Sequence, residues 1–185
     1  MRKLIARVFD YSLDGLIATE GTEFFQFCRD LPDDPAEDAT GSAFYAGADL
    51  HIMGRAAYQS MASYFPTATD DPNAEPLNAA RKVVFSRTLK TADWANTTIA
   101  TGDLAEEVDK VRRGGDGYIV VGGGVSFWRS LARLDLIDEY RVTLVPYVAG
   151  EGARLFEDVG RSYRLDLLSN TAFSNGLELE YRRHR

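Results

Sequence analysis

Apolar residues recur along this chain in two rhythms: short runs bounded by turn formers, which read as strands, and longer stretches with apolar positions at helical spacing. Lys3 to Phe9 (KLIARVF) is the first run and stops at the turn-forming SLDG. A helix follows, which Thr22 can cap and in which Phe24, Phe27, Cys28 and Leu31 share a face. The acidic, proline-bearing segment Pro32 to Thr40 reads as an exposed connection. Asp49 to Met53 is a second strand, and Gly54-Arg55 opens a helical pattern through Tyr58 and Met61. Residues 66–76 carry three prolines and three carboxylates, which predicts a loop or ordered excursion.

The same alternation continues. Lys82 to Phe85, Thr97 to Ala100, Tyr118 to Val121 and Glu139 to Val145 are strands three to six. Asp103 caps a helix with Leu104, Val108 and Val111 on one face, ended by Gly114-Gly115, and Val125 to Leu134 is another. Strands alternating with helices are the pattern of a parallel sheet covered on both faces. At the end, Tyr163 to Phe173 and Leu177 to Arg183 flank Ser174-Asn175-Gly176, a hairpin signal that adds an antiparallel pair. The expected fold is one α/β domain over residues 1–185, with a mostly parallel central sheet and an antiparallel C-terminal hairpin.

Composition narrows the partners. A 185-residue chain that is 45% hydrophobic suffices for one sizeable core. Its net charge of −7 repels polyanions, so nucleic acid is not expected. No 18-residue apolar span or secretory signal is seen, and a single cysteine excludes an internal disulfide, which points to the cytoplasm and away from membranes. That cysteine, Cys28, lies in the apolar FFQFC and reads as a buried, inert thiol. His51 and His184 lack ligand-like spacing, so no metal is expected.

In open α/β sheets ligands bind beyond the carboxyl ends of the strands, so the residues just after each strand carry the chemistry. Gly122-Gly123-Gly124 before a helix would aim free amides and the positive helix end at a pyrophosphate. Gly54-Arg55 repeats this with a guanidinium, and Ser86-Arg87-Thr88 offers two hydroxyls and an arginine suited to a ribose 2′-phosphate. Phe127 starts close enough to the glycines to edge a cofactor, although with Trp128 and Leu131 it also fits a helix core. Neither G-x-G-x-x-G after the first strand nor G-x-x-x-x-G-K-[ST] is present, which disfavours an ordinary Rossmann dehydrogenase and a P-loop nucleotidase.

FDYSLDGLIA, MGRAAYQSM at 53–61, KVVFSRTL at 82–89, IVVGGGVSFWRSL at 119–131 and LIDEYRVTLVPYVAGEGARLF at 136–156 occur in that order. In this the chain resembles the dihydrofolate reductase-like superfamily, above all the reductase domain at the C-terminus of bifunctional riboflavin-biosynthesis enzymes and its stand-alone relatives. The resemblance implies a three-layer NADPH-dependent reductase fold, with Gly54, Arg55, Ser86, Arg87 and Gly122 to Val125 lining NADPH. It implies that Asp14-Gly15-Leu16-Ile17-Ala18 lies beside the nicotinamide, that a cis peptide joins the pair matching Gly122-Gly123, and that the protein is a homodimer. By the same resemblance Glu23, Phe24 and Phe27 match the carboxylate-and-phenylalanine face of the folate-binding helix, and Thr143 the threonine that touches the substrate-binding carboxylate. The first loop departs from dihydrofolate reductases in being short and lacking tryptophan.

The resulting expectation is hydride transfer from NADPH to a small heterocyclic substrate, pterin-like or ribosylated-pyrimidine-like, or to a carbonyl. Asp14 and Glu23 are the candidate proton sources. Two plainer roles stay open: Asp14 as an Asx residue shaping its turn, and Glu23 as an exposed first-turn carboxylate. A non-catalytic nucleotide- or ligand-binding module and a mainly structural oligomer are the competing function classes.

Overall fold

The six apolar runs lie side by side and parallel in the computed structural model, which describes residues 1–185. In sheet order they are β5 (Thr97–Ala100), β4 (Lys82–Phe85), β3 (Ala48–Gly54), β6 (Tyr118–Gly122), β1 (Leu4–Tyr11) and β7 (Glu139–Leu144). The hairpin of β9 (Leu165–Ala172) and β10 (Leu177–Arg183) follows antiparallel, β10 pairing with β7.

Strand periodicity sorts the core into two layers. Leu4, Ala6 and Val8 of β1, with Ile119 and Val121 of β6, pack under α5 (Leu104–Arg112) and α6 (Val125–Arg133), where Val108, Trp128 and Leu131 meet them. Their neighbours Ile5 and Val120 point the other way, with Met53 and Val84. There they meet Phe44 of α2 (Pro35–Ala46), Tyr58 of α3 (Arg55–Tyr64), Leu77 of α4 (Ala74–Ala79) and Trp94. Burial on both faces explains why β1 and β6 read as continuous apolar runs instead of alternating ones. No helix is long and apolar enough to cross a membrane.

Two local readings are corrected. The segment Pro32 to Thr40 is no connection: α2 starts at Pro35, because the Asp34 carboxylate accepts the amides of Ala36 (2.9 Å) and Glu37 (3.3 Å), and proline needs no amide partner in a first turn. The excursion at 66–76 runs into α4 at Ala74. After β7 a two-residue strand β8 (Ala153–Arg154) pairs with an equally short β2 (Leu16–Ile17), which also pairs with β1 at Tyr11.

Candidate active site

The glycine turns meet at one sheet edge. Gly54 lies across from Phe85, Ile52 from Val121, and Arg7 from Gly122, so the carboxyl ends of β4, β3, β6 and β1 are successive neighbours. Neighbouring strands are about 4.8 Å apart, which places Gly54-Arg55, Ser86-Arg87-Thr88 and Gly122 to Gly124 on one ledge.

Helix capping distinguishes the two helices of this ledge from three of the other four. The side chains of Thr22, Asp34 and Asp103 cap α1 (Glu23–Asp30), α2 and α5. By contrast α3 and α6 begin at Gly54 and Gly124 with no side-chain cap, leaving their first amides open toward the ledge. Gly123 and Gly124 adopt φ of +60° and +89°, a left-handed turn that glycine makes without strain. Every peptide bond is trans, so the expected cis glycine pair is corrected to this left-handed turn. A Cβ on Gly123 would stand 3.1 Å from that of Ala57, so the turn rests on the first coil of α3 and the two open helix ends adjoin.

Charge on the ledge is uncommitted. Arg55 and Arg87 are exposed and make no ion pair. The Ser86 hydroxyl accepts the amides of Thr88 (3.2 Å) and Leu89 (3.0 Å), folding the loop that presents Arg87 and the exposed Thr88. Val125 is half-buried at the start of α6. Phe127 is buried below: a Cβ on Gly54 would lie 3.1 Å from the Phe127 Cβ, and its ring centroid is 5.1 Å from that of Phe85, so it supports the ledge from beneath.

Beside the ledge, where β1 and β7 end, a cavity of about 230 Å³ opens. Arg7 and Thr143, 2% and 4% exposed, line it. Arg7 Nη2 stands 3.2 Å from Glu178 Oε2, off hydrogen-bonding alignment, so Arg7 Nε and Nη1 and Glu178 Oε2 lack hydrogen-bond partners. The Thr143 hydroxyl is buried and unpartnered too. Buried polar groups are seldom left unmatched, so a cluster of them at a cavity marks a place built for a ligand. The rings of Phe9 (4.6 Å) and Phe44 (5.2 Å) lie against the Arg7 guanidinium.

Asp10 lines the same cavity. It is held left-handed at φ +56°, in the stretch where β1 and β7 shift register between Val8 and Tyr11. Burial raises its carboxyl above the ordinary range, partly offset by a hydrogen bond with the Cys28 thiol and by the Arg29 charge. Burial and Asp10 together push the Cys28 thiol up to about 12, which suits an inert group. A non-glycine residue in left-handed backbone beside a cavity is the kind of strain that gathers at functional sites.

The two expected proton sources lie elsewhere. Asp14 accepts the Ser12 hydroxyl (2.6 Å) and the amides of Ala149 (3.0 Å) and Gly150 (2.8 Å), which hold its carboxyl down to about 2. It is a loop fastener, and a group so readily ionised is a poor proton source. Glu23 is exposed in the first turn of α1, outside the cavity lining, because it is Phe24 on that helix that turns inward to stack on Tyr147 at 4.9 Å. Phe27 packs 4.6 Å from the same ring, also outside the lining. Ile17 is buried in the β2–β8 ribbon, and the Ala18 amide donates to the Asp10 carbonyl at 3.1 Å, tying the loop to the cavity edge. Sequence reasoning passed over Arg7, Asp10 and Glu178. A charged residue inside the apolar KLIARVF was the one available signal for Arg7.

A family model described as the RibD C-terminal domain matches residues 2–179. YyaP of Bacillus subtilis (strain 168), an uncharacterized protein, is 31% identical over 172 residues, covering 90% of this chain and 87% of its own. Among solved structures, a Shewanella sp. PV-4 protein that bears a riboflavin-biosynthesis name superposes with a TM-score of 0.80 at 22% identity, over 99% of both chains. Dihydrofolate reductase from Enterococcus faecalis, complexed with NADP(H) and RAB-propyl, superposes at 0.63 with 16% identity, over 99% of this chain and 97% of that one. The fold is dihydrofolate reductase-like.

Proposed function

The chain belongs to the RibD C-terminal domain family, and from that premise we propose that it is an NADPH-dependent reductase acting on a small heterocyclic substrate. The observation that carries the reading is the pair of adjoining uncapped helices at Gly54 and Gly124 beside a cavity whose buried polar atoms lack partners. The ledge fits the cofactor: open amides at two positive helix ends for the pyrophosphate, glycines where a Cβ would crowd Ala57, and an unpaired Arg87 for the 2′-phosphate. When bound, NADPH supplies the hydride.

The rest falls to side chains of the cavity. Arg7 Nη1 and the Thr143 hydroxyl orient an acceptor atom of the substrate ring. Asp10, whose carboxyl burial raises above its ordinary range, is the proton donor in this reading, serving the ring nitrogen that gains an electron pair when its carbon partner is reduced. Asp14 sets the loop geometry instead.

Fluorescence titration with NADPH and NADH tests the reading. Saturable binding, tighter for NADPH, is expected. Binding of neither cofactor would sink it, and NADPH binding without consumption across a heterocycle panel would favour the non-catalytic binding module.

A further inference from the structure

The charge around the cavity separates two classes of substrate. Four carboxylates, Asp33, Asp34, Glu37 and Asp38, line it together with Asp10, against the single cation Arg7. Arg7 is not a free positive charge, since Glu178 lies against it and both side chains are at most 3% exposed. The carboxyl of Asp34 is committed to the amides of Ser174, Ala36 and Glu37 and stays ionised. Burial lifts Glu37 and Asp38, and crowding by Asp33, Asp71 and Asp34 lifts Asp38 further. These carboxyls repel one another, so a bound cation relieves them and a bound phosphate adds to the repulsion. A cavity of about 230 Å³ has room for a small organic cation.

Polar atoms of the floor and rim carry opposite messages to a ligand. Arg7 Nη1 offers a donor and the Thr143 hydroxyl can do the same, both nine-tenths or more buried and unpartnered, so the deep end takes a carbonyl or ring-nitrogen acceptor. The rim accepts N–H groups or positive charge. At about 230 Å³ the cavity seats one small ring system, and a phosphorylated tail would have to leave past the carboxylates.

We propose that this cavity selects an unphosphorylated nitrogen heterocycle, acceptor-bearing at its inner edge and cationic or N–H-rich at its outer edge, and rejects phosphate-bearing substrates. The proposal rests on reading the cavity as the substrate half of the reductase site.

Benzamidine, benzamide and phenyl phosphate are single-ring probes that differ in charge, and calorimetric titration into the protein with and without NADPH tests the idea. Benzamidine should bind at least about tenfold more tightly than phenyl phosphate, with benzamide between them. Its affinity should rise with pH as Glu37 and Asp38, whose carboxyls burial lifts, lose their protons. Glu37→Gln should weaken benzamidine while leaving benzamide unchanged, and Asp38→Asn serves the same purpose should Glu37→Gln disturb α2. Phenyl phosphate binding as tightly as benzamidine, no binding by any probe, or benzamidine affinity untouched by both variants overturns the proposal. A protein that keeps the charge order but fails to bind NADPH refutes the reductase reading and leaves the charge selection standing.

Discussion

Replacing Gly123 by alanine adds one methyl group where the chain already runs left-handed, at φ +60°, and where that methyl would stand 3.1 Å from the Ala57 Cβ. Two costs arise. The left-handed torsion costs a residue with a Cβ about 1 kcal/mol. The contact is tighter than ordinary van der Waals separation, and because Ala57 Cβ is fixed to the helix backbone the first coil of α3 must move, at about 1–2 kcal/mol more. Gly160→Ala isolates the first cost, since Gly160 is also left-handed, at φ +76°, with nothing within 4 Å of its added Cβ. For a chain of this length each kcal/mol lowers Tm by about 2–4 °C. Gly160→Ala should therefore melt about 3 °C below the parent and Gly123→Ala about 4–12 °C below it, followed by circular dichroism. The displaced turn and α3 end should also weaken NADPH at least tenfold, on the order of the 1.4 kcal/mol that separates decades of affinity. Equal melting of the two variants, with NADPH affinity intact in Gly123→Ala, would refute the argument and make the triple glycine a plain corner.

Other outcomes follow from single side chains. Arg87→Ala should weaken NADPH far more than NADH, because only NADPH carries the phosphate its guanidinium can pair with; equal losses in parallel titrations would remove Arg87 from that role. Asp14→Asn should destabilise the protein at neutral pH, and because the Asp14 carboxyl is held at about 2 against an ordinary 3.8, the difference from the parent should fade as pH falls from about 4 to 2. A difference in urea midpoint that does not change with pH would count against the loop-fastener role. Buried His51 is held neutral to about pH 4 by burial and by Lys82, so the unfolded chain takes up a proton near pH 6.5 that the native state refuses. Stability should fall by about 3 kcal/mol between those values, and His51→Leu should flatten that slope in urea unfolding; an unchanged slope would show that other groups set it.

The parallel strands and the layers on both faces were legible because each of those strands prints an apolar run in the sequence, whereas their order in the sheet was not. The ledge was legible for a related reason: its glycines and arginines follow those runs directly. Helix α2 was missed although its signal was local, Asp34 capping and Pro35 opening the first turn, because acid and proline in succession read as a loop. The cavity is different in kind. Arg7 comes from β1, Thr143 from β7, Glu178 from β10 and Glu37 from α2, and no spacing along the chain records that they converge. Asp10 was hidden for another reason, since its left-handed torsion sits in the β1–β7 register shift that only strand pairing creates.

The ribbon of β2 and β8 and the Asp14 carboxylate join two segments some 135 residues apart in the chain. Leu13 adds a third tie, its amide donating to the Tyr147 carbonyl at 2.8 Å. Anyone grafting loops between relatives therefore handles one part in two pieces: transplanting residues 12–18 alone would leave the amides of Ala149 and Gly150 without their acceptor, and transplanting 146–154 alone would strand Asp14. Chimeras should be cut so that both segments come from the same parent.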